Sequence, residues 1–299
     1  MSPPLILVTN DDGVAAPGLR ALVEALHGLG DLVVCAPDGE RSGSSHAMTF
    51  HSMLRAREVE AGRWAVSGTP VDCVYFGLLN LSVRTPDLVV SGINAGYNLG
   101  TDVFYSGTVG AAAEAHLRGV CAMAVSVERG VDARWARHCV RSLAEQLLAR
   151  LDPPLLLNVN VPHVPGQDNA SAGQIDAASR EQGVMLTRLG HRAYHDSVDR
   201  RIDPLGRPYY WIGGPPGQLR GQVGDDTWAV AQGLSSVTAL RLDLSDPDPC
   251  AARALLRETT KLRMVDPAAY GSSDASATSA ASPTSPPNEP EPEPEHEPS

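Results

Sequence analysis

Hydrophobic residues in the first half of the chain follow two alternating patterns. Short apolar runs bounded by polar, Gly or Pro residues are typical of buried strands, and they predict strands at Leu5–Val8, Leu32–Cys35, Leu88–Ser91, Ala122–Val127 and Leu155–Val161. Apolar residues with helical spacing follow the first strand, and further helices are predicted at Pro70–Leu79, Thr108–Leu117 and Ala133–Leu151. This alternation predicts an α/β fold, a three-layer sandwich around a mostly parallel, Rossmann-like sheet.

The residues after the last of these strands follow a different pattern. Gly166–Gly183 is polar and predicts a surface excursion. Val184–Leu189 and Tyr209–Ile212 have the composition of strands, and a turn at Asp203–Gly206 connects them, which predicts a projecting C-terminal β-hairpin at about 184–215. The aromatic residues of this hairpin fit two alternatives equally, contact with a neighbouring subunit or cover for their own domain; they are Tyr209, Tyr210 and Trp211.

The C-terminal part divides into an ordered and a disordered segment. Ser236–Leu244 has leucines at alternate positions and predicts an outer strand, and Pro249–Leu262 predicts a terminal helix that closes the fold at about 249–262. We therefore expect one domain over residues 1–265. Residues 266–299 are rich in Ser, Ala, Pro and Glu and bury too little apolar surface to fold, so we expect an acidic, disordered tail.

Charge and cysteine usage exclude several classes of partner. The 299 residues carry a formal net charge of −11, of which −6 lies between Pro267 and Ser299. A mildly acidic fold does not attract a phosphate backbone, so no nucleic-acid duplex is expected as a partner. The five cysteines are scattered without a CxxC pair, and the sequence has no signal segment and no apolar run of eighteen residues. These features predict a soluble, cytoplasmic protein without a membrane partner.

Two adjacent carboxylates, Asp11 and Asp12, follow the first predicted strand. Consecutive side chains of a strand point to opposite faces, but Asn10–Gly13 has the composition of a turn, which can direct both carboxylates into one crevice. Open α/β sheets bind ligands in that crevice, and two crowded, partly desolvated carboxylates favour a divalent metal. The alternative is an acidic first turn of a helix, which complements the helix dipole and binds nothing.

Two further loops follow strands at the same edge of the sheet. Loop 35–49 is rich in Gly and Ser, and its Ser42, Ser44 and His46 offer polar contacts, although most such loops bind nothing. The loop after Leu88–Ser91 contains Asn94 and Asn98, which are neutral oxygen donors for a hard cation or a phosphate. Its glycine spacing fits neither the dinucleotide motif nor the Walker motif.

Ser106 has the position of an N-cap for the helix predicted near Thr108. The free backbone N–H groups of Gly107 and Thr108 would then point out of the helix, and such an N-terminus binds phosphate. The alternative is a helix that is capped for stability alone. It explains the cap but not the polar, Gly-rich loop that precedes it.

Several segments, in the same order along the chain, resemble the SurE family of survival-protein nucleotidases, up to about Leu262. They are Val8–Gly13 with Ala16–Gly18, Ala36–Pro37 with Arg41–Gly43, Gly68–Pro70 with Asp72–Val74, Val90–Gly96, Tyr105–Val109 and Leu157–Pro162. The resemblance implies a divalent-metal-dependent phosphatase that hydrolyses nucleoside 5′- and 3′-monophosphates to nucleoside and phosphate. In some members it implies an exopolyphosphatase activity as well.

The resemblance also implies roles for individual residues. The metal ligands of the family correspond to Asp11, Asp12, Ser42 and Asn94, and its phosphate-binding residues correspond to Asn98, Ser106, Gly107 and Thr108. All four metal ligands are oxygen donors, which suits one Mg²⁺ or Mn²⁺ per subunit rather than zinc. The family further implies a homodimer or homotetramer assembled through the C-terminal hairpin and terminal helix.

These residues predict hydrolysis by a metal-held water, with Asp11 and Asp12 as the catalytic residues, because one of them can accept the proton of that water. Two alternatives remain. A phosphatase with a covalent phospho-aspartate normally has a second Asp two residues after the first, which Asp11-Asp12-Gly13 lacks. A non-catalytic, nucleotide-binding stress protein would bind nucleotide without releasing phosphate.

Overall fold

The computed structural model describes residues 2–149, 153–163, 171–191, 197–213, 221–248 and 250. Contacts between Cα atoms divide the chain into two units, Met1–Asp243 and Leu244–Ser299. All strands and helices named below lie in the first unit. The predicted terminal helix at 249–262, apart from Cys250, and the predicted tail at 266–299 lie outside the described residues.

The described residues form eleven strands and six α-helices. The strands are β1 (Leu5–Thr9), β2 (Asp31–Pro37), β3 (Ala56–Glu60), β4 (Arg63–Val66), β5 (Leu88–Ala95), β6 (Cys121–Val127), β7 (Leu156–Val161), β8 (Val184–Thr187), β9 (Ser197–Ile202), β10 (Pro208–Gly213) and β11 (Ser235–Ala239). The helices are α1 (Pro17–Leu26), α2 (Pro70–Phe76), α3 (Gly107–Leu117), α4 (Arg137–Ala149), α5 (Ala172–Glu181) and α6 (Asp226–Ala231). The buried strands and the helices predicted in the first half of the chain are thus confirmed. None of the described helices is long and apolar enough to cross a bilayer.

Nine strands form one sheet in the order β3-β4-β2-β1-β5-β6-β7-β11-β8. Strands β2, β1, β5, β6 and β7 are parallel, whereas β11 runs antiparallel to β7 and β3 runs antiparallel to β4. Successive residues of β1 enter two separate cores. Ile6 and Val8 pack on the face that α1 and α4 cover, and Leu7 packs on the face that α2 and α3 cover. Because β1 is buried on both faces, its sequence is a continuous apolar run, and the predicted three-layer sandwich is confirmed.

Two strands near the C-terminus pair differently from the prediction. The predicted pairing of Val184–Leu189 with Tyr209–Ile212 was wrong, because β8 extends the main sheet in parallel with β11, where Thr187 Oγ1 lies 2.7 Å from Thr238 Oγ1. The hairpin instead joins β9 to β10. It encloses the predicted turn at 203–206. Three consecutive charged residues interrupt the apolar pattern of β9, and this is why the sequence did not predict that strand.

One further expectation for this region was wrong. Ser236–Leu244 is not an outer strand, because β11 lies between β7 and β8 and ends at Ala239. Part of the polar stretch Gly166–Gly183 forms α5, whose described side chains include one buried apolar residue, Ile175. The hairpin β3–β4 was not predicted either, because four of the five residues of β3 are exposed and give no apolar signal.

Candidate active site

A crevice lies at the carboxyl ends of β1 and β5, near the centre of the sheet. The chain continues from β1 into α1 on one face of the sheet and from β5 into α3 on the opposite face. The neighbouring strands β1 and β5 are therefore the point at which the strand order reverses. Ligands of open α/β sheets bind at such a switch point. Asp11 and Asp12 follow β1, and Asn94 lies at the end of β5, so three of the four predicted metal ligands adjoin the crevice.

A buried turn directs Asp11 and Asp12 to the same side. The Gly13 N–H donates to Asn10 Oδ1 at 3.2 Å, and Asn10 Nδ2 donates to Gly13 O at 3.0 Å. Gly13 has a φ of +102°, which other residues rarely adopt, so the chain leaves extended geometry directly after β1. Both carboxylates therefore line one cavity of about 480 Å³. The turn predicted at Asn10–Gly13 is present.

Asp11 is a nearly buried carboxylate, with 4% of its surface exposed. Its Oδ1 accepts a hydrogen bond from Thr108 Oγ1 at the start of α3. Burial raises the pKa of Asp11 to about 6, and the charge of Asp12 adds to this effect, whereas the hydrogen bonds from Thr108 act in the opposite direction. The ionised form of Asp11 is thus unfavourable in isolation, and a nearby cation would stabilise it.

Asp12 is partly buried, and its Oδ2 accepts the N–H of Ala95 at 3.4 Å. This contact joins the turn after β1 to the end of β5. Burial raises the pKa of Asp12, the Ala95 N–H lowers it, the charge of Glu40 raises it and that of Arg129 lowers it. Two neighbouring carboxylates with raised pKa values form a site whose charge a dication would offset.

Ser42 and Asn94 line the same cavity as the two carboxylates. Asn94 Nδ2 donates to Gly96 O at 2.7 Å, so its amide nitrogen is engaged and its Oδ1 remains the acceptor. Ser42 Oγ donates to Glu40 Oε1 at 2.8 Å, which leaves the oxygen lone pairs of Ser42 for a ligand. The four predicted metal ligands therefore line one cavity.

This cavity differs from a metal site built of carboxylates, imidazoles and thiolates. Within the described part of the chain, no cluster of three or more His, Cys, Asp or Glu side chains is arranged to hold a metal. The predicted ligand set has two carboxylates, one hydroxyl and one amide. It therefore contains only two side chains of the types that define such a cluster. Its all-oxygen composition fits a hard cation.

Two of the four predicted phosphate-binding residues, Asn98 and Ser106, line the cavity and are buried. Asn160 Oδ1 accepts the Asn98 N–H at 2.8 Å, and Ser126 Oγ accepts from Asn98 Nδ2 at 2.8 Å, so Asn98 is held in a buried polar network. Ser106 Oγ accepts the N–H of Val109 at 3.1 Å, which confirms the predicted N-cap of α3.

The other two, Gly107 and Thr108, lie beside Asp11 at the start of α3. Thr108 is fully buried and donates its hydroxyl to Asp11, as described above. A Cβ atom on Gly107 would lie 2.5 Å from Ser44 Oγ and 3.1 Å from Asp11 Oδ2, so only glycine fits here. Ser44 Oγ is itself buried without a hydrogen-bond partner among the described residues.

Sequence reasoning did not single out several further residues of the site. The same cavity is lined by Glu40, Tyr97, Asp102, Tyr105 and Arg129. The sequence could have indicated these residues only by their position, since each lies in a segment that follows a strand of the central sheet.

Asp226 is another residue that the sequence analysis missed. It is fully buried, and its carboxylate accepts the N–H groups of Gly100, Gly190 and Thr227, at 2.8, 2.8 and 2.7 Å. The contact with Gly100 fixes the segment between β5 and α3. A second pair of adjacent carboxylates, Asp225 and Asp226, was the signal in the sequence.

A larger cavity, of about 790 Å³, adjoins the first and shares Asp12, Glu40 and Ala95 with it. Residues of α1 and of the segment 127–134 line it, and Ile93 and Val127 contribute apolar surface. A group held at Asp12 therefore has space on two sides. This volume lies within the range of cavities that bind small molecules.

Comparison with known proteins identifies the family of this chain. The family model described as Survival protein SurE matches residues 6–196. The chain belongs to the SurE family. A protein of Geobacter metallireducens named 5′-nucleotidase SurE is 47% identical over 248 residues, which cover 81% of this chain and 92% of the relative. Another 5′-nucleotidase SurE, from Syntrophotalea carbinolica, is 48% identical over 247 residues, covering 81% and 93%.

A solved structure extends the likeness from sequence to fold. The SurE protein from Aquifex aeolicus superposes with a TM-score of 0.72 at 36% sequence identity, and the match covers 85% of this chain and all of that chain. The resemblance to the SurE family that the sequence motifs carried is therefore confirmed. The α/β sandwich described above is the fold of a SurE protein.

Proposed function

We propose that this SurE protein is a divalent-metal-dependent phosphomonoesterase that hydrolyses nucleoside 5′- and 3′-monophosphates to nucleoside and phosphate. The observation that carries the proposal is the convergence of Asp11, Asp12, Ser42 and Asn94 on one cavity at the switch point of the sheet. Membership of a family whose relatives are named 5′-nucleotidase supports the nucleotidase class. Exopolyphosphatase activity at the same site is part of the proposal.

The residues of the cavity fit a hard dication. Asp11, Asp12, Ser42 and Asn94 would hold it, and their two negative charges and two neutral oxygens suit Mg²⁺ or Mn²⁺. When bound, the ion supplies Lewis-acid polarisation of the phosphoryl group and acidifies water. The raised pKa values of both Asp side chains support this assignment.

The protein residues supply the remaining chemistry. Asp11 and Asp12 are the proposed catalytic residues, because a carboxylate at this position can accept the proton of the attacking water. Asn98, Ser106 and the backbone of Gly107 would bind phosphoryl oxygens, and Thr108 would hold Asp11 in place while its N–H adds positive potential from the start of α3. The larger adjoining cavity offers room for the nucleoside.

Direct hydrolysis is favoured over a covalent phospho-aspartate. One oxygen of Asp11 is occupied by the Thr108 hydroxyl, and Asp12 accepts the N–H of Ala95, so each carboxylate is already engaged. A carboxylate that also binds a metal is a weak nucleophile. Trapping experiments with a phosphoryl analogue would accordingly yield no covalent adduct on either residue.

Assembly and location belong to the same proposal. The hairpin β9–β10 exposes large apolar side chains, including Trp211 at 61% and Ile212 at 88%, so it does not cover its own domain. Exposed apolar patches of this kind mark contact surfaces, and we assign the hairpin to a homodimer or homotetramer. All five cysteines are free, which agrees with the reducing cytoplasm.

Phosphate release from a panel of nucleoside 5′- and 3′-monophosphates and a polyphosphate tests the function. We expect release with Mg²⁺ or Mn²⁺ and none with EDTA. The variants Asp11→Asn and Asp12→Asn should each lose at least about 100-fold in kcat while remaining folded. Asp31→Asn, the same change at an exposed residue at the start of β2 that lines neither cavity, is the control and should keep wild-type activity. Nucleotide binding without phosphate release under any of these metals would instead establish a non-catalytic binding protein.

A further inference from the structure

Arg129 brings a positive charge into a cavity whose other charged lining residues are all acidic. The described residues lining the 480 Å³ cavity include four carboxylates and a single basic side chain, Arg129. The carboxylates are Asp11, Asp12, Glu40 and Asp102. Arg129 follows β6, the strand next to β5, and thus approaches the crevice from the side opposite β1.

The guanidinium of Arg129 lies close to the loop that contains Asn94. A Cβ atom built on Gly96 would be 3.8 Å from Arg129 Nη2 and 3.9 Å from Asn94 Nδ2, so both side chains border the same small space. The charge of Arg129 also lowers the pKa of Asp12. Arg129 is therefore near the proposed metal ligands without belonging to them.

Arg129 makes no hydrogen bond or ion pair with any residue that the structure describes. Its neighbour Glu128 is engaged elsewhere, by His163 Nδ1 at 3.0 Å and by the Tyr97 hydroxyl at 3.4 Å. Arg129 is exposed and lines the cavity. Its five N–H donors are thus free for an anionic ligand, and their fork geometry matches the oxygens of a phosphate.

The net charge of the cavity makes a positively charged donor favourable for the binding of an anionic substrate. Four carboxylates face the two positive charges of a dication and the single charge of Arg129, so the cavity stays net negative even when the dication is bound. A phosphomonoester is itself a dianion near neutral pH. Without Arg129 the substrate would enter against a larger negative potential, and its oxygens would lack a charged hydrogen-bond donor.

We propose that Arg129 binds a phosphoryl oxygen of the substrate and is a substrate-binding residue of this site. The inference rests on the proposed phosphomonoesterase function and adds to it a residue outside the metal ligands and the start of α3. Arg129 acts on the phosphoryl group directly, so its removal should weaken the binding of inorganic phosphate as well as that of nucleotide. The alternative role is indirect, in which Arg129 only positions Asp12 through its charge.

The test compares Arg129→Met and Arg129→Lys with the control Arg57→Met. Arg57 is an exposed residue of β3 that lines neither cavity, so its loss changes the net charge equally but away from the crevice. Isothermal titration of the Mn²⁺-loaded protein with inorganic phosphate measures phosphate binding without turnover. Steady-state kinetics with a nucleoside monophosphate separates KM from kcat, and titration with Mn²⁺ alone measures metal affinity.

We expect Arg129→Met to raise both the phosphate dissociation constant and KM by about 10- to 100-fold, the range for a hydrogen bond to a charged group. Mn²⁺ affinity should be unchanged or slightly tighter, because a positive charge near Asp12 has been removed. Arg129→Lys should recover part of the loss, since it keeps the charge but not the fork. Arg57→Met should match the wild type.

Unchanged phosphate binding in Arg129→Met would overturn the inference. Weaker Mn²⁺ binding, or a fall in kcat with KM and phosphate binding unchanged, would also overturn it, because both indicate action through Asp12. The titration with phosphate does not depend on catalysis. If the wild type bound Mn²⁺ and phosphate but hydrolysed no nucleotide, the proposed function would fail while the role of Arg129 in phosphate binding could still be measured.

Discussion

Thr108 donates its hydroxyl hydrogen to Oδ1 of Asp11, so one buried hydrogen bond joins the first turn of α3 to the turn after β1. These two segments are almost one hundred residues apart in sequence. The bond occupies one oxygen of Asp11 and leaves the other for the cavity. It also opposes the effect of burial on the pKa of Asp11.

Replacing Thr108 by Val should reduce activity through Asp11. The variant keeps the shape of the side chain but removes the hydroxyl, so the pKa of Asp11 rises further above about 6. Because a proton competes with the metal for Asp11, we expect kcat/KM at pH 6 and subsaturating Mn²⁺ to fall by about 10-fold, and the pH profile of Mn²⁺ binding to shift to higher pH. Thr108→Ser retains the donor and should behave as the wild type. An unshifted profile in Thr108→Val would show that the bond does not set the ionisation of Asp11.

The stability of the metal-free protein should depend on pH through Asp11. Its pKa is about 6 in the folded protein against 3.8 when unperturbed, so the folded state holds this proton more tightly than the unfolded state. The contribution of Asp11 to the free energy of unfolding therefore falls as the pH rises from about 4 to about 6, by about 3 kcal/mol. Urea unfolding in the presence of EDTA measures the free energy of unfolding of the wild type and of Asp11→Asn at each pH. The difference between the two proteins gives the contribution of Asp11. A difference between the two proteins that is constant over this pH range would contradict the prediction.

Mn²⁺ should reverse that loss near neutral pH. A ligand that binds only the folded state stabilises it by about 2.7 kcal/mol at one hundred times its Kd. We expect the Tm of the wild type to rise with Mn²⁺ concentration and the Tm of Asp12→Asn to stay constant. Asp31→Asn again serves as the control and should respond like the wild type. An equal rise in Asp12→Asn would place the stabilising ion elsewhere.

Asp226 should be important for stability and for the position of the loop before α3. Its buried carboxylate accepts three backbone N–H groups, so Asp226→Ala leaves buried donors unpaired. We expect a loss of about 2 to 4 kcal/mol in the free energy of unfolding, measured by urea denaturation. The exposed residue Asp31 provides the comparison, because Asp31→Ala should change stability by less than about 0.5 kcal/mol.

The hairpin should determine the oligomeric state. Replacing Trp211 and Ile212 by Ser removes exposed apolar surface without touching the core of the first unit. We therefore expect a folded protein with an unchanged circular dichroism spectrum and a smaller mass in light scattering. The control is Leu79→Ser, since Leu79 is an exposed apolar residue outside the hairpin. A doubly substituted protein of unchanged mass would assign assembly to another surface.

The central part of the fold was predictable because its strands are buried on both faces. Residues such as Ile6, Leu7 and Val8 form a continuous apolar run, which is typical of a strand that is buried on both faces. The same reasoning failed for β9, which is exposed along its whole length, and for β8, whose pairing partner is decided by contacts such as that between Thr187 and Thr238. Sequence pattern indicates that a strand exists, but it does not specify the partner of an edge strand.

The candidate site was predictable where it depends on the ends of strands. Asp11, Asp12 and Asn94 were found because parallel strands end at one edge of the sheet. The hydrogen bond from the Thr108 hydroxyl to Asp11 was not predicted, because a sequence does not show which groups the start of a helix contacts. Arg129 is not part of any motif that the sequence analysis identified. Its position beside the loop that contains Asn94 is visible only in the folded structure.

The most direct test of the central claim is the position of a bound Mn²⁺ ion. Crystals of the protein grown with MnCl₂ would locate it by anomalous scattering. The account predicts one strong peak per subunit, with oxygen atoms of Asp11, Asp12, Ser42 and Asn94 around it at the distances of a hard cation. A crevice without an anomalous peak at saturating Mn²⁺, or a peak coordinated by other residues, would contradict it.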